Sequence, residues 1–279
     1  MAESSDISGK PRAVLAFNSS CDRLLEIWQF FRNLLMDMKL NPSAEIYFPS
    51  GEVESRFVRS IWRLSEWNAA QRMETILPKG TVEIIFNLSD EVVYCNETMD
   101  NRQILPLCFI NGINFQPFKL IKAGQQEFLG IQLNTIGIKA LFGISVSEFN
   151  NNIYEGSQVC KSLRTLSNKL FSKKTFQAQV ETILEWIACR ISISTCRDAI
   201  PQIHQMYYSR NLAGHSVKQF SEESRLSDRH LRRLSSDWLG MNTEAFLLYN
   251  KYLSALNLLH HSELALTEIG YEAGYYDQA

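Results

Sequence analysis

Arg229, Arg232 and Arg233 recur at i, i+3 and i+4, a spacing that gathers three guanidiniums on one face if the segment is helical. Ser227 stands just ahead, with a short side-chain oxygen suited to an N-cap, and Gly240 follows where a C′ glycine would end the helix. Leu231, Leu234 and Trp238 fall at i, i+3 and i+7 on a different face, the one that would dock on a core. A planar cation presented on an exposed helix front suits two partners. It can bond guanine O6 and N7 bidentately, worth about 1–3 kcal/mol of discrimination, or it can pair with a backbone phosphate. A solvated charged face is the plain alternative. His230 either reaches a phosphate or simply flanks Leu231.

The elements around these residues decide between the two. Residues 217–226 read as another short helix, with Val217, Phe220 and Ser224 at helical spacing and Arg225–Leu226 as the joint. Short helix, tight turn and a second helix with arginines at its front form a helix-turn-helix signature. Residues 244–259 read as a longer helix, with Phe246, Tyr249, Leu253, Leu256 and Leu259 on one side; residues 264–274 read as a short one again. The run Ser227, Leu231, Arg233, then Gly240, Phe246, Lys251, Ala255 and Leu258-Leu259, resembles the first half of the AraC/XylS regulator head. Residues 268–279, EIGYEAGYYDQA, resemble its second half. The resemblance covers about a quarter of the chain. It implies base reading by Arg229 and Arg232, with Ser227, His230 and Arg233 completing the DNA-binding set and Arg233 phosphate-bound or structural. Two departures stand out. The turn position held by Arg225 is usually Gly, and a non-Gly residue there is strained if φ is positive. The sequence ends at Ala279, one residue before the His-Phe that opens the family's second recognition helix, so that second head is expected to be missing.

Ahead of the head, hydrophobic periodicity switches to two. Residues 57–64, 81–89, 92–95, 107–111, 118–121 and 127–133 read as strands of a small barrel or sandwich, with LPKG (77–80) as a turn. Short helices are expected at 135–142 and 146–150. Trp62, the run Leu77-Pro78, Gly80, Glu83-Ile84-Ile85-Phe86-Asn87-Leu88, then Gly112 and Gly130, resemble a sensor domain found ahead of some AraC-type heads, with Lys79 where Asp is usual. The resemblance implies a small effector, and Trp62, Phe86, Phe109 and Phe128 are the expected pocket; ordinary core packing is the alternative for each. All histidines (204, 215, 230, 260, 261) lie after residue 200, so a His-ligated metal or a Ser-His-Asp triad within the β half is excluded. Carboxylates such as Glu83 and Glu127 leave glycoside-type chemistry open. Neither GxGxxG nor GxxxxGK[ST] occurs.

The fold class expected is α+β: an N-terminal tail and amphipathic helix (1–44, the helix at 22–38), a β-rich sensor (45–156), a helical connector (157–205) and an all-α head (206–279). The amphipathic helix either packs on its own domain or joins two copies; the basic connector is either a spacer or dimer element or part of the core. Six scattered cysteines without a CxxC pair suggest free thiols in a reducing cytoplasm. No apolar run approaches the roughly 18 residues of a membrane span. Residues 201–279 carry 7 basic and 9 acidic side chains, which counts against DNA, but 225–233 holds four arginines and one aspartate. The expected function is sequence-specific transcription regulation, with promoter DNA, a small effector and a second copy of the chain as partners. No enzyme activity, metal or cofactor is expected. The alternatives are a ligand-binding protein whose C-terminus no longer binds DNA, and an enzyme in the β half.

Overall fold

The computed structural model describes residues 43–89, 91–96, 102–209, 212 and 214–275. The helix expected at 22–38 and residues 276–279 lie outside these. The chain is α+β: an antiparallel sheet, then helices.

The sheet runs β1 (Ser43–Tyr47), β2 (Val58–Ile76), β3 (Val82–Asn87), β4 (Val92–Cys95), β5 (Arg102–Ile104), β6 (Cys108–Asn111), β7 (Phe118–Leu133) and β8 (Ile153–Glu155). Its order is β1-β2-β7-β3-β6-β8, with β4 pairing β7 and β5. β7 is the spine. One flank pairs β2 along its length; the other pairs β3 through residues 128–133 and β4 through 119–122. β1, β5 and β8 fall where the sequence reading places no strand, and two boundaries differ widely from those read in the sequence. β2 continues past Leu64 to Ile76, and the strands expected at 118–121 and 127–133 are one strand bent at Gly124, whose φ is +69. The polar stretch between them, Lys122–Gln126, keeps its ladder through pairing with β2, which periodicity alone does not reveal.

Period two divides the sheet into two faces. Ile61, Ile131, Ile84 and Ile110 lie side by side across β2, β7, β3 and β6, all at 0 % exposure. This face is covered by helices. The next row, Trp62, Gly130, Ile85 and Phe109, points the other way and belongs to a second apolar cluster with Tyr94, Phe118 and Phe128. We call that side the inner face.

The helices are α1 (Ile136–Phe142), α2 (Gly156–Val159), α3 (Lys161–Phe171), α4 (Phe176–Ser192), α5 (Ile200–Tyr208), α6 (Val217–Ser224), α7 (Asp228–Leu239), α8 (Thr243–His261) and α9 (Leu266–Glu272). The larger apolar cluster is continuous from the covered face through Leu163, Leu170, Ile183 and Ile187 of the connector to Phe220, Leu231, Trp238 and Phe246 of the head. Connector and head are thus built into the sheet's core. Cys95, Cys108, Cys160, Cys189 and Cys196 are free thiols. Among the described residues no helix is long and apolar enough to cross a membrane.

Candidate nucleic-acid interface and the inner face of the sheet

The head begins with a reciprocal cap. Ser216 Oγ accepts the amide N–H of Gln219 at 3.2 Å, and the Gln219 side chain accepts the amide of Ser216 at 2.9 Å. α6 ends at Arg225, which adopts the left-handed conformation with φ +56 and ψ +32. The unusual residue at that turn therefore carries real backbone strain, on the order of 1–2 kcal/mol. Ser221 Oγ closes the turn by donating to the carbonyl of Leu226 at 2.5 Å.

α7 starts where the sequence places it. Ser227 caps it, accepting the amide of His230 at 3.4 Å, and Gly240 closes it with φ +72. Leu231 and Trp238 are buried, Leu234 half so. Ser235 is fully buried and bonds both Tyr207 and Thr243 at 3.0 Å, pinning α7 to α5 and α8. The opposite front is open: Arg225, Arg229, His230, Arg232 and Arg233 are all exposed, and among the described residues none of their side chains meets a carboxylate. Four basic or titratable side chains thus project from a capped, well-anchored helix, with Arg225 exposed in the turn ahead of it.

The back of α7 faces the β half. Lys139 on α1 donates to Asp237 and lies 5.6 Å from the Trp238 ring centroid. Asn150 donates to the carbonyl of Gly240. Further along, α8 grips the turn before β3. Tyr249 Oη accepts the amide of Gly80 at 3.0 Å and donates to the Asn114 carbonyl at 3.2 Å, while Tyr252 Oη donates to the Pro78 carbonyl at 3.2 Å. A Cβ on Gly80 would stand 2.6 Å from Leu253 Cδ1, so the LPKG turn fits the helix through the absence of a side chain. Nothing in the sequence pattern signals these contacts.

Of the residues expected to line a pocket, Trp62, Phe109 and Phe128 share the inner face. Phe86 does not. It pairs with Leu129 and Cys108, is fully buried, and belongs to the helix-covered core. Its odd-even phase relative to Trp62 depends on strand register, which the sequence does not specify. Trp62 lies over Gly130: a Cβ there would meet its ring at 2.2 Å. Polar groups flank this apolar belt. On one side Lys122 pairs with Glu66 at 3.1 Å and Glu74 at 2.6 Å. On the other, Ser60, Gln132, Glu83 and Asn111 form one row across β2, β7, β3 and β6. The carboxylate pair weighed from the sequence is not formed. Glu83 faces inward, whereas Glu127 lies on the other face and pairs with Arg63 at 3.1 Å. Among the described residues no cluster of His, Cys, Asp and Glu is arranged to hold a metal ion.

A family model described as a domain of unknown function (DUF6597) matches residues 46–155, the sheet and its β8 edge. No curated protein matches the chain. Solved structures similar to it include ToxT from Vibrio cholerae, 11% identical, with 85% of this chain and 90% of that chain covered and a TM-score of 0.40. An unsaturated-fatty-acid-bound ToxT from Vibrio cholerae strain SCE256 is 9% identical, over 86% and 89%, with a TM-score of 0.42. A cupin superfamily protein from Desulfitobacterium hafniense DCB-2 is 16% identical, over 34% of this chain and 78% of that one, with a TM-score of 0.26. Identities and TM-scores are low throughout.

Proposed function

We propose that the chain is a sequence-specific DNA-binding transcription regulator that reads the major groove with α7 and holds a small effector on the inner face of its sheet. The observation that carries this reading is the open arginine front of α7. Arg229 and Arg232 project from a helix whose start, stop and buried side are each fixed by its own cap, glycine and core residue. Arginines so held have little to gain from each other and much to gain from guanine edges or phosphates. The resemblance of 209–279 to the AraC/XylS head supports the same assignment.

The effector half of the reading rests on the mixed character of the inner face. Aromatic rings sit between two polar groups there, as binding sites for small molecules require. Asn111 and Asn114 lead from that face to Tyr249 on α8, giving an occupied site a physical route to the head.

Selection of duplexes from a random pool by the full chain, followed by mobility shifts on the selected sequence, tests the reading. A defined motif whose binding falls on Arg229→Ala and Arg232→Ala is the expected result. The excess of acid over base in 201–279 favours a second reading, a ligand-binding protein with a DNA-incompetent C-terminus. Failure to select any duplex, with the fold intact, would establish it.

A further inference from the structure

Glu83 is the buried group that the DNA-binding reading leaves unexplained. It is 8 % exposed and, among the described residues, its one polar contact is Gln132 Nε2, donating to Oε1 at 3.3 Å. Among the described residues no lysine or arginine lies within ion-pair distance of it. A carboxylate in such a place, with one long amide hydrogen bond, is costly unless a positive partner arrives. Beside it in the same row, Ser60 is fully buried and its hydroxyl has no partner. The Trp62 indole N–H, two residues further along β2 on the same face, is buried and unpartnered as well.

This row borders an apolar belt that is not closed off. On the helix-covered face Ile61, Ile84, Ile110 and Ile131 have no exposure, whereas Trp62, Leu64, Leu120 and Ile153 on the inner face are only partly buried. The belt is also unsuited to anions. Among the described residues its one buried ammonium, Lys122, is taken by two carboxylates, Glu66 and Glu74, and Arg72, on the same side of β2, is exposed. Counting Glu83, the described buried and half-buried residues of the inner face, Glu66, Glu74, Glu83 and Lys122, set three carboxylates against one ammonium.

From these observations we infer that the inner face binds an organic amine, not a carboxylic acid. Its ammonium sits in the row Ser60, Gln132, Glu83 and Asn111, and its apolar body lies across Trp62, Phe109 and Phe128. Glu83 supplies the neutralising charge, Ser60 Oγ a further acceptor, and the ring faces one row away suit a cation. The Trp62 N–H is left for an oxygen elsewhere on the amine. This rests on the effector half of the proposed function and names its ligand class.

The test uses the full chain and three probes sharing one ring: 2-phenylethylamine, 2-phenylethanol and phenylacetate, titrated by calorimetry. The amine should bind saturably and tightest, with phenylacetate showing no binding. Glu83→Gln, which preserves shape and can still bond Gln132, should weaken the amine by about tenfold or more and leave the alcohol unchanged. Ser60→Ala should weaken it less. An amine that binds no better than the alcohol, an undiminished affinity in Glu83→Gln, or no binding by the amine overturns the inference. The regulator reading is scored separately, by mobility shift with and without the amine. Amine binding that leaves DNA affinity untouched keeps the ligand class and removes the regulatory role. Selected DNA with no amine binding does the reverse.

Discussion

Tyr249 and Gly80 are joined by a 3.0 Å hydrogen bond across 169 residues of chain, from the long helix of the head to the turn that launches β3. The same hydroxyl donates to Asn114, so a single oxygen links three segments. Tyr249→Phe leaves the ring contact with Phe115 and removes both bonds. Chemical denaturation should register a loss of about 1–3 kcal/mol, because the Gly80 amide is left without its partner.

That hydroxyl also predicts an alkaline limit. Burial is the main cause that pushes Tyr249 up from 10.0 to about 12, against a smaller lowering from the Gly80 bond; burial likewise takes Tyr207 to about 12. The folded protein holds both protons more tightly than the unfolded chain. Their contribution to stability is therefore fully present below pH 10 and is lost as pH rises through 12. Tyrosinate absorbance followed with circular dichroism should show these two groups titrating late, together with unfolding.

Arg225 offers a gain. With φ at +56, replacement by Gly removes the steric strain while adding unfolded-state entropy. Arg225→Gly should raise stability by up to about 1 kcal/mol, whereas Arg225→Ala should not, since alanine keeps the Cβ. A thermal melt of the two variants separates backbone strain from loss of the guanidinium.

On DNA, the arginines should divide by role. Arg229→Ala and Arg232→Ala are expected to cost about 1–3 kcal/mol on the selected sequence and to relax preference at one base pair each. Arg233→Ala should weaken all duplexes evenly and reduce the salt slope by about one. Competition shifts at several salt concentrations measure both.

Gly130→Ala tests the seat of Trp62. The added methyl would overlap the indole, with 2.2 Å to Cε2, and forces the ring off the sheet. A destabilisation of about 1–3 kcal/mol and a shift in tryptophan emission are expected, with the emission change absent when Trp62 is already Phe.

What the sequence disclosed was local. Ser227, Gly240 and the Leu231–Trp238 spacing fix α7 because capping and helical period are settled within a few residues. The strand Val82–Asn87 was equally plain from its alternation. What stayed hidden depends on pairing. Phe86 and Trp62 are each aromatic residues of apolar-rich strands, and only the register of both against β7 places them on opposite faces. The strand extension through Ser65–Ile76 has little hydrophobic signal, since its ladder is held by β7. Glu83 gave no hint of its isolation, because being alone is a property of what lies nearby in space. Tyr249 looked like one more aromatic on an amphipathic helix, and its hydroxyl's two partners come from distant loops.

The apolar cluster that runs without a break from Ile61 to Phe246 has a consequence for how such a protein can be taken apart. Severed after α5, the head would bare Leu231, Trp238 and Phe246 to water, and the connector and sheet would lose the apolar packing they share with it. Residues 43–275 should therefore resist proteolytic dissection into a soluble head and a soluble sensor. By the same argument, grafting a foreign head onto this sheet would require the surface around Lys139, Asn150 and the LPKG turn to be redesigned along with it.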